Sequence, residues 1–219
     1  MTISYPRDLP AYCLGVRGST DLAYQQAQSI TGGAQPNVAD LGPAYWVFDY
    51  TFGIHGREMI AAFSAWLSSL DGGLRAFKAV PIRGGKLYKW PLSRPTGFTG
   101  LLVSAVQWTG LGNLSAIATG KEAVTINQLP NGLVLNPGDY ISFAVGSKQH
   151  LHQIVEGGTV ASNAVTVGVR PYVRPNATTS VSVRFESPYC DAVIMGKPSK
   201  PQDDRTTGSV SFQAAQVMI

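Results

Sequence analysis

Residues 57–70, REMIAAFSAWLSSL, carry the only clear helical period in a chain that otherwise alternates and turns. Met59, Ile60, Phe63, Trp66, Leu67 and Leu70 fall on one face of that period, with Ser64, Ser68 and Ser69 opposite. Ala61, Ala62 and Ala65 favour the helix, and Asp71-Gly72-Gly73 stops it, because glycine takes the left-handed conformation that closes a helix end. A lone helix with two large aromatics on its apolar face has to be covered, so it predicts a helix laid on a β-sheet. The segment is too short to span a bilayer, and no apolar run elsewhere reaches a membrane span.

The rest of the chain reads as strands. Residues 46–54 (WVFDYTFGI) alternate Trp46, Phe48, Tyr50 and Phe52 with Val47, Asp49 and Thr51. Residues 74–82 alternate less cleanly, with Leu74 and Ala76 on the apolar side, and Arg83-Gly84-Gly85-Lys86 reads as a turn. Residues 87–99 are broken by proline and read as a loop presenting Tyr88 and Trp90. Further strands are expected at 101–108, 123–127, 139–145, 151–155, 164–169, 180–185 and 190–195, separated by Gly, Pro and Asn turns. Residues 21–30 suit either a short helix or a strand, and an extended N-terminal arm is expected to pack on a neighbouring subunit or locally. A polar stretch at 197–207 leads to a closing strand at 209–219. The fold expected is mainly β. Residues 1–99 with 208–219 form a β-sandwich or barrel carrying the helix, 100–196 form an inserted small β-barrel or sandwich, and 197–207 link the two.

Composition narrows the function. Charged residues make up 14% of the 219, well below the usual quarter, which suits a subunit of a larger assembly. The net charge of +4 comes from scattered Lys and Arg, so no nucleic-acid patch is expected. MTISYPRDLP lacks the apolar stretch of a secretory signal, which predicts synthesis in the cytoplasm. Cys13 and Cys190 stand far apart in sequence and read as free thiols, with a disulfide left open.

No catalytic constellation emerges. His150 and His152 share a strand face and are the candidate metal pair, yet Glu156 is the closest further ligand type. Gly18-Ser19 and Gly208-Ser209 lack the second glycine of a nucleophile elbow, and Arg83-Gly84-Gly85-Lys86 lacks the Ser or Thr of a phosphate loop. Asp203-Asp204 sits in a Lys-Pro loop and reads as solvated. Tyr12, Tyr24, Tyr45, Tyr88, Trp90, Tyr172 and Tyr189 lie in or beside expected loops and suit a subunit interface or a carbohydrate contact; Tyr88, Trp90 and Tyr172, with Trp108 at the end of an expected strand, are the candidates taken forward. No cofactor and no enzymatic activity are expected.

The order WVFDYTFGI, then REMIAAFSAWLSSLDG, then LRAFKAVPI, followed by LVLNPGDYISF, LHQIV and AVTVGVRPYVRP, resembles the distal tail proteins of long-tailed phages and prophages. The likeness covers about residues 40–195 and lies in the pattern of segments. It implies a structural virion protein in the phage tail tip, assembled in the host cytoplasm. It further implies a homo-oligomeric ring, six-fold by analogy, between tail tube protein and tail hub protein, with the inserted domain outside. A tube or tail-terminator subunit, a module binding cell-surface glycan through Trp108 or Tyr172, and a metal-dependent hydrolase using His150 and His152 are the competing expectations.

Overall fold

A computed structural model describes residues 4–10, 14–30, 36–91, 107–199 and 207–218. Two long strands, β1 (Leu14–Ile30) and β2 (Pro36–His55), precede helix α1 (Arg57–Ser69) and a 3₁₀ turn at Asp71–Gly73. Short strands β3 (Phe77–Ala79), β4 (Ile82–Arg83) and β5 (Lys86–Leu87) follow. Then come β6 (Leu111–Ile117), β7 (Ala123–Asn127), β8 (Val134–Leu135), β9 (Tyr140–Val145), β10 (Lys148–Glu156), β11 (Gly158–Thr159), β12 (Ala164–Arg170) and β13 (Ser182–Arg184). The described chain closes with β14 (Cys190–Met195) and β15 (Thr207–Gln216). The fold is mainly β with a single α-helix among the described residues.

Two bodies arise. One is a five-stranded antiparallel sheet in the order β1-β2-β15-β14-β3. The other is a closed antiparallel barrel, β10-β12-β7-β6-β13-β9, whose strands all fall between the sheet's third and fourth strands in sequence. Strand β14 therefore corrects the expected boundary at 196: residues 190–195 pair with β15 and β3, in the sheet. Cys190, Ala192 and Ile194 are the reason, since they alternate into the sheet's core.

The sheet owes its core to the aromatic stripe of β2. Trp46, Phe48, Tyr50, Phe52 and Ile54 are all buried, as their alternation predicts. Along that strand Phe48, Tyr50 and Phe52 stack in series at 5.7 and 5.5 Å. Helix α1 covers them: Phe63 packs on Phe52 at 5.6 Å and Trp66 meets Phe77 edge-on at 5.5 Å. Ile60, Phe63, Trp66, Leu67 and Leu70 are buried, but Met59 is exposed, a correction to the expected helix face. Its neighbour Ile60 is buried, so the buried stripe begins one position later than the periodicity suggested. Opposite the helix the sheet is polar, with Thr51 bonded to Ser211 at 3.0 Å and Gln213 donating to Asp49 at 2.9 Å.

Several local expectations shift. Residues 21–30 are strand, within β1. The phase of 74–82 is reversed: Phe77 and Ala79 point in, while Leu74 is 85% exposed on the turn after the helix. Residues 4–10 pack on their own domain. Tyr5 Oη donates to Ser69 O at 2.7 Å, Trp66 Nε1 donates to Asp8 O at 2.9 Å, and Arg7 bonds Ser69 Oγ. Strand β6 runs through Gly112-Asn113, a pair that reads as a turn. Here glycine serves packing, because a Cβ at Gly112 would sit 2.8 Å from Ile126 and 2.9 Å from Leu129. The strand expected at 101–108 lies outside the described residues except for Gln107 and Trp108. Cys13, residues 92–106 of the expected loop and insert, and residues 200–206 of the expected linker also lie outside.

Candidate functional site

The two bodies meet through β9 and β10, which are buried on both faces. Ile141, Phe143 and Ile154 fill the barrel, whereas Tyr140 and Leu151 join the sheet's core. Trp46 of β2 seals the seam. Its Nε1 donates to Leu151 O at 2.9 Å, and its ring meets Tyr140 edge-on at 5.7 Å. Beside it Asp139, fully buried, accepts from Arg83 Nη1 at 3.2 Å, from Tyr88 Oη at 3.1 Å and from its own turn's Asn136 N at 2.9 Å. Burial first, and the Asp139 carboxylate second, hold the Tyr88 phenol far above its ordinary pKa, so it stays a donor. A carboxylate on the barrel is thus clamped by the hairpin β4–β5 of the sheet body.

That arrangement corrects three of the four aromatic candidates. Tyr88 is 4% exposed and belongs to the internal seam. Trp108 is buried at the barrel end, where its Nε1 donates to Leu111 O at 2.6 Å and its ring packs on Phe185 at 5.6 Å. Trp90, half-buried, leans on Trp108 at 6.0 Å. These rings bury because an indole or phenol that finds a backbone or carboxylate partner loses nothing by leaving water. Tyr172 is the most exposed of the four, at 53%.

His150 and His152 lie on the barrel side of β10, both buried. His152 stacks flat on Phe143 at 4.6 Å, and its Nδ1 bonds Pro171 O at 2.9 Å. Burial, with Arg174 nearby, lowers His150 to a pKa of about 4. Burial likewise lowers His152 to about 3, with His150 and Arg174 adding to the effect against the Pro171 carbonyl. Both are neutral imidazoles at pH 7. The Nε2 of each lacks a partner, but no group of three or more His, Cys, Asp or Glu converges among the described residues. Glu156, the closest further ligand type in sequence, follows a register shift at the strand's exposed end. Cys190 is a free, buried thiol whose pKa is raised by burial and by Asp191.

The surface that sequence reasoning missed is the sheet's edge. Strand β15 follows β2 only as far as Ala215 opposite Val47, while β1 and β2 continue together to Ile30 opposite Pro36. Their outer ends form a two-stranded ribbon that projects past the sheet. The β1 edge is covered near Thr20, whose Oγ1 accepts from Ile82 N at 2.9 Å. Beyond that point no strand pairs with β1's outer edge among the described residues. At the sheet's other end, β3 is bridged by Arg7, with Arg7 N donating to Ala76 O at 3.2 Å and Lys78 N to Arg7 O at 2.8 Å. No helix among the described residues is long and apolar enough to cross a membrane. Set against known proteins, the chain matches no family model and no curated sequence.

Proposed function

We propose that this chain is a non-enzymatic structural subunit of a phage tail tip, a distal-tail-type ring protein joining the tail tube to the hub. One observation carries the reading: a sheet with one edge capped by its own N-terminal segment and the other carried outward as a ribbon whose outer edge has no strand partner among the described residues. An open edge is a template for pairing with another chain, and natural monomers blunt such edges. A capped edge opposite an open one suits a head-to-tail contact, which closes into a ring when the rotation allows. The clamped seam of Trp46, Asp139 and Tyr88 supports the same role, since a ring that transmits load needs domains that do not swing. Low charge and the resemblance in segment order agree with it.

The test is the mass of the purified chain by light scattering, with negative-stain images of the same sample. A closed ring with an open centre is expected. A chain that stays monomeric alone and in the presence of a tail tube protein overturns the reading. The alternative of a tube or terminator subunit predicts stacked rings or cylinders in the same images.

A further inference from the structure

Tyr24 and Tyr172 are the two exposed aromatic side chains among the described large apolar residues, at 59% and 53%. They come from distant parts of the sequence, one on β1 and one after β12, yet both line a single cleft of about 300 Å³ between ribbon and barrel. Leu22, Pro43 and Pro171 extend its apolar walls. Leaving two phenol rings in water at one place forgoes burial that each could have found elsewhere, and that is the mark of a surface meant for a ligand.

The polar groups are few and one-sided. Arg170 lies over the Tyr172 ring at 4.2 Å, fixed by one hydrogen bond from Nη1 to Val169 O at 2.9 Å. Its remaining donors are uncommitted to any ion pair among the described residues; Glu122 and Glu156 share a separate hollow on its other flank. Gln26 adds an amide, and no carboxylate among the described residues lines the cleft. The walls are held from behind. Pro171 O is bonded by His152, and Arg174 Nη2 reaches Ala44 O at 3.4 Å, tying the barrel loop to the ribbon.

We propose that this cleft binds one acidic sugar unit, of the hexuronic acid type. A pyranose presents C–H groups on its faces and hydroxyls at its rim, which match tyrosine and proline faces flanked by an amide and a guanidinium. A carboxylate completes the fit, because a guanidinium whose fork is free takes it in a two-point contact. The volume holds one ring with its waters. An extended peptide would need a longer groove, and a nucleotide's phosphate would need more than one cation. The inference does not depend on the ring reading, and the subunit mass measured on the same sample keeps their failures apart.

The probe is sodium glucuronate, titrated into the full chain by calorimetry and by protein NMR, with glucose and sodium acetate as the two halves of the ligand. Saturable binding with a Kd of about 1 mM is expected for a ligand this small. Glucose and acetate should each bind at least about 10-fold more weakly. Tyr172→Ala and Arg170→Gln should each weaken glucuronate by about 10-fold while leaving the circular dichroism spectrum and melting unchanged. No saturable binding overturns the proposal. So does equal binding of acetate, which would mean a bare cation, or glucuronate affinity unchanged in Tyr172→Ala.

Discussion

The barrel is lined by aliphatic side chains, Leu114, Val124, Ile126, Val167 and Val183 among them, whereas the sheet body is filled by rings: Phe48, Tyr50, Phe52, Phe63, Trp66, Phe77 and Phe212. The difference follows from closure. A narrow barrel has little interior width, so short branched side chains fill it and every strand finds two neighbours. An open sheet has to be roofed, and the wider space between sheet and helix is spanned by aromatics that interlock edge-to-face. Closure also decides what is left over. The barrel has no edge to offer, while the sheet keeps one that is bridged by Arg7 and one that runs on as the ribbon. Among the described residues the inserted body therefore pairs all its strands internally, and the open edge belongs to the body that holds both ends of the described chain.

Phe212 is where the roofed core is most concentrated, with Tyr50, Phe52, Phe63, Trp66 and Phe77 all within ring contact. Phe212→Ala should cost about 4 kcal/mol, read as a shift of the urea midpoint. Ile126→Val in the barrel should cost about 1 kcal/mol, since one methylene leaves a small void in a wall that can close. Comparable losses for the two would mean that the aromatic body is not the more interlocked one. A second break falls on the seam. Asp139→Ala leaves Arg83, Tyr88 Oη and Asn136 N without their acceptor, at a cost of about 3 kcal/mol. It should also split a single unfolding transition into two, because the bodies would no longer melt together.

The same contrast explains what could be seen in the sequence. The helix and the β2 stripe were legible because large apolar residues keep a strict period there; β7 and β15 were legible by alternation, and β9 and β12 as short apolar runs between turn residues. Strand β6 was hidden because Gly112 answers to a neighbour's side chain across the barrel, which local pattern does not encode. Tyr88 reads as a surface residue because its loop is polar and proline-broken, yet its partner Asp139 supplies what burial requires, as Leu111 does for Trp108. The ribbon was obscured by the mixed composition of residues 21–45. That Tyr24 and Tyr172 share one cleft needed the fold, because they stand far apart in the sequence.

Acid should separate the two bodies. His150 and His152 stay unprotonated in the folded barrel down to about pH 4 and about pH 3, while the unfolded chain takes up those protons near 6.5. Stability is therefore full above pH 6.5 and falls as the pH drops below it, by about 2 kcal/mol per histidine at pH 5. Both groups are in the barrel, so the barrel should be the body that acid loosens. In His152→Asn the loss between pH 7 and pH 5 should shrink by about 2 kcal/mol, measured by urea melts at each pH. An undiminished loss would place the acid sensitivity on other groups.

The smallest effect on stability should accompany the largest on assembly. Gln25 and Ala27 are exposed on the ribbon, outside the stretch of β1 that the β4–β5 hairpin covers. Lysine at an edge repels a second strand while it leaves the existing ladder with β2 in place. The double variant Gln25→Lys, Ala27→Lys should thus change the monomer's stability by no more than about 0.5 kcal/mol. Light scattering should nonetheless report monomers where the parent chain forms a ring. Placing the same pair of lysines on the barrel, at exposed Ser115 and Thr166, serves as the control and should leave the mass unchanged. If the barrel pair disrupts association and the ribbon pair does not, then the closed body carries the contact. The open edge would then be a passive end of the fold.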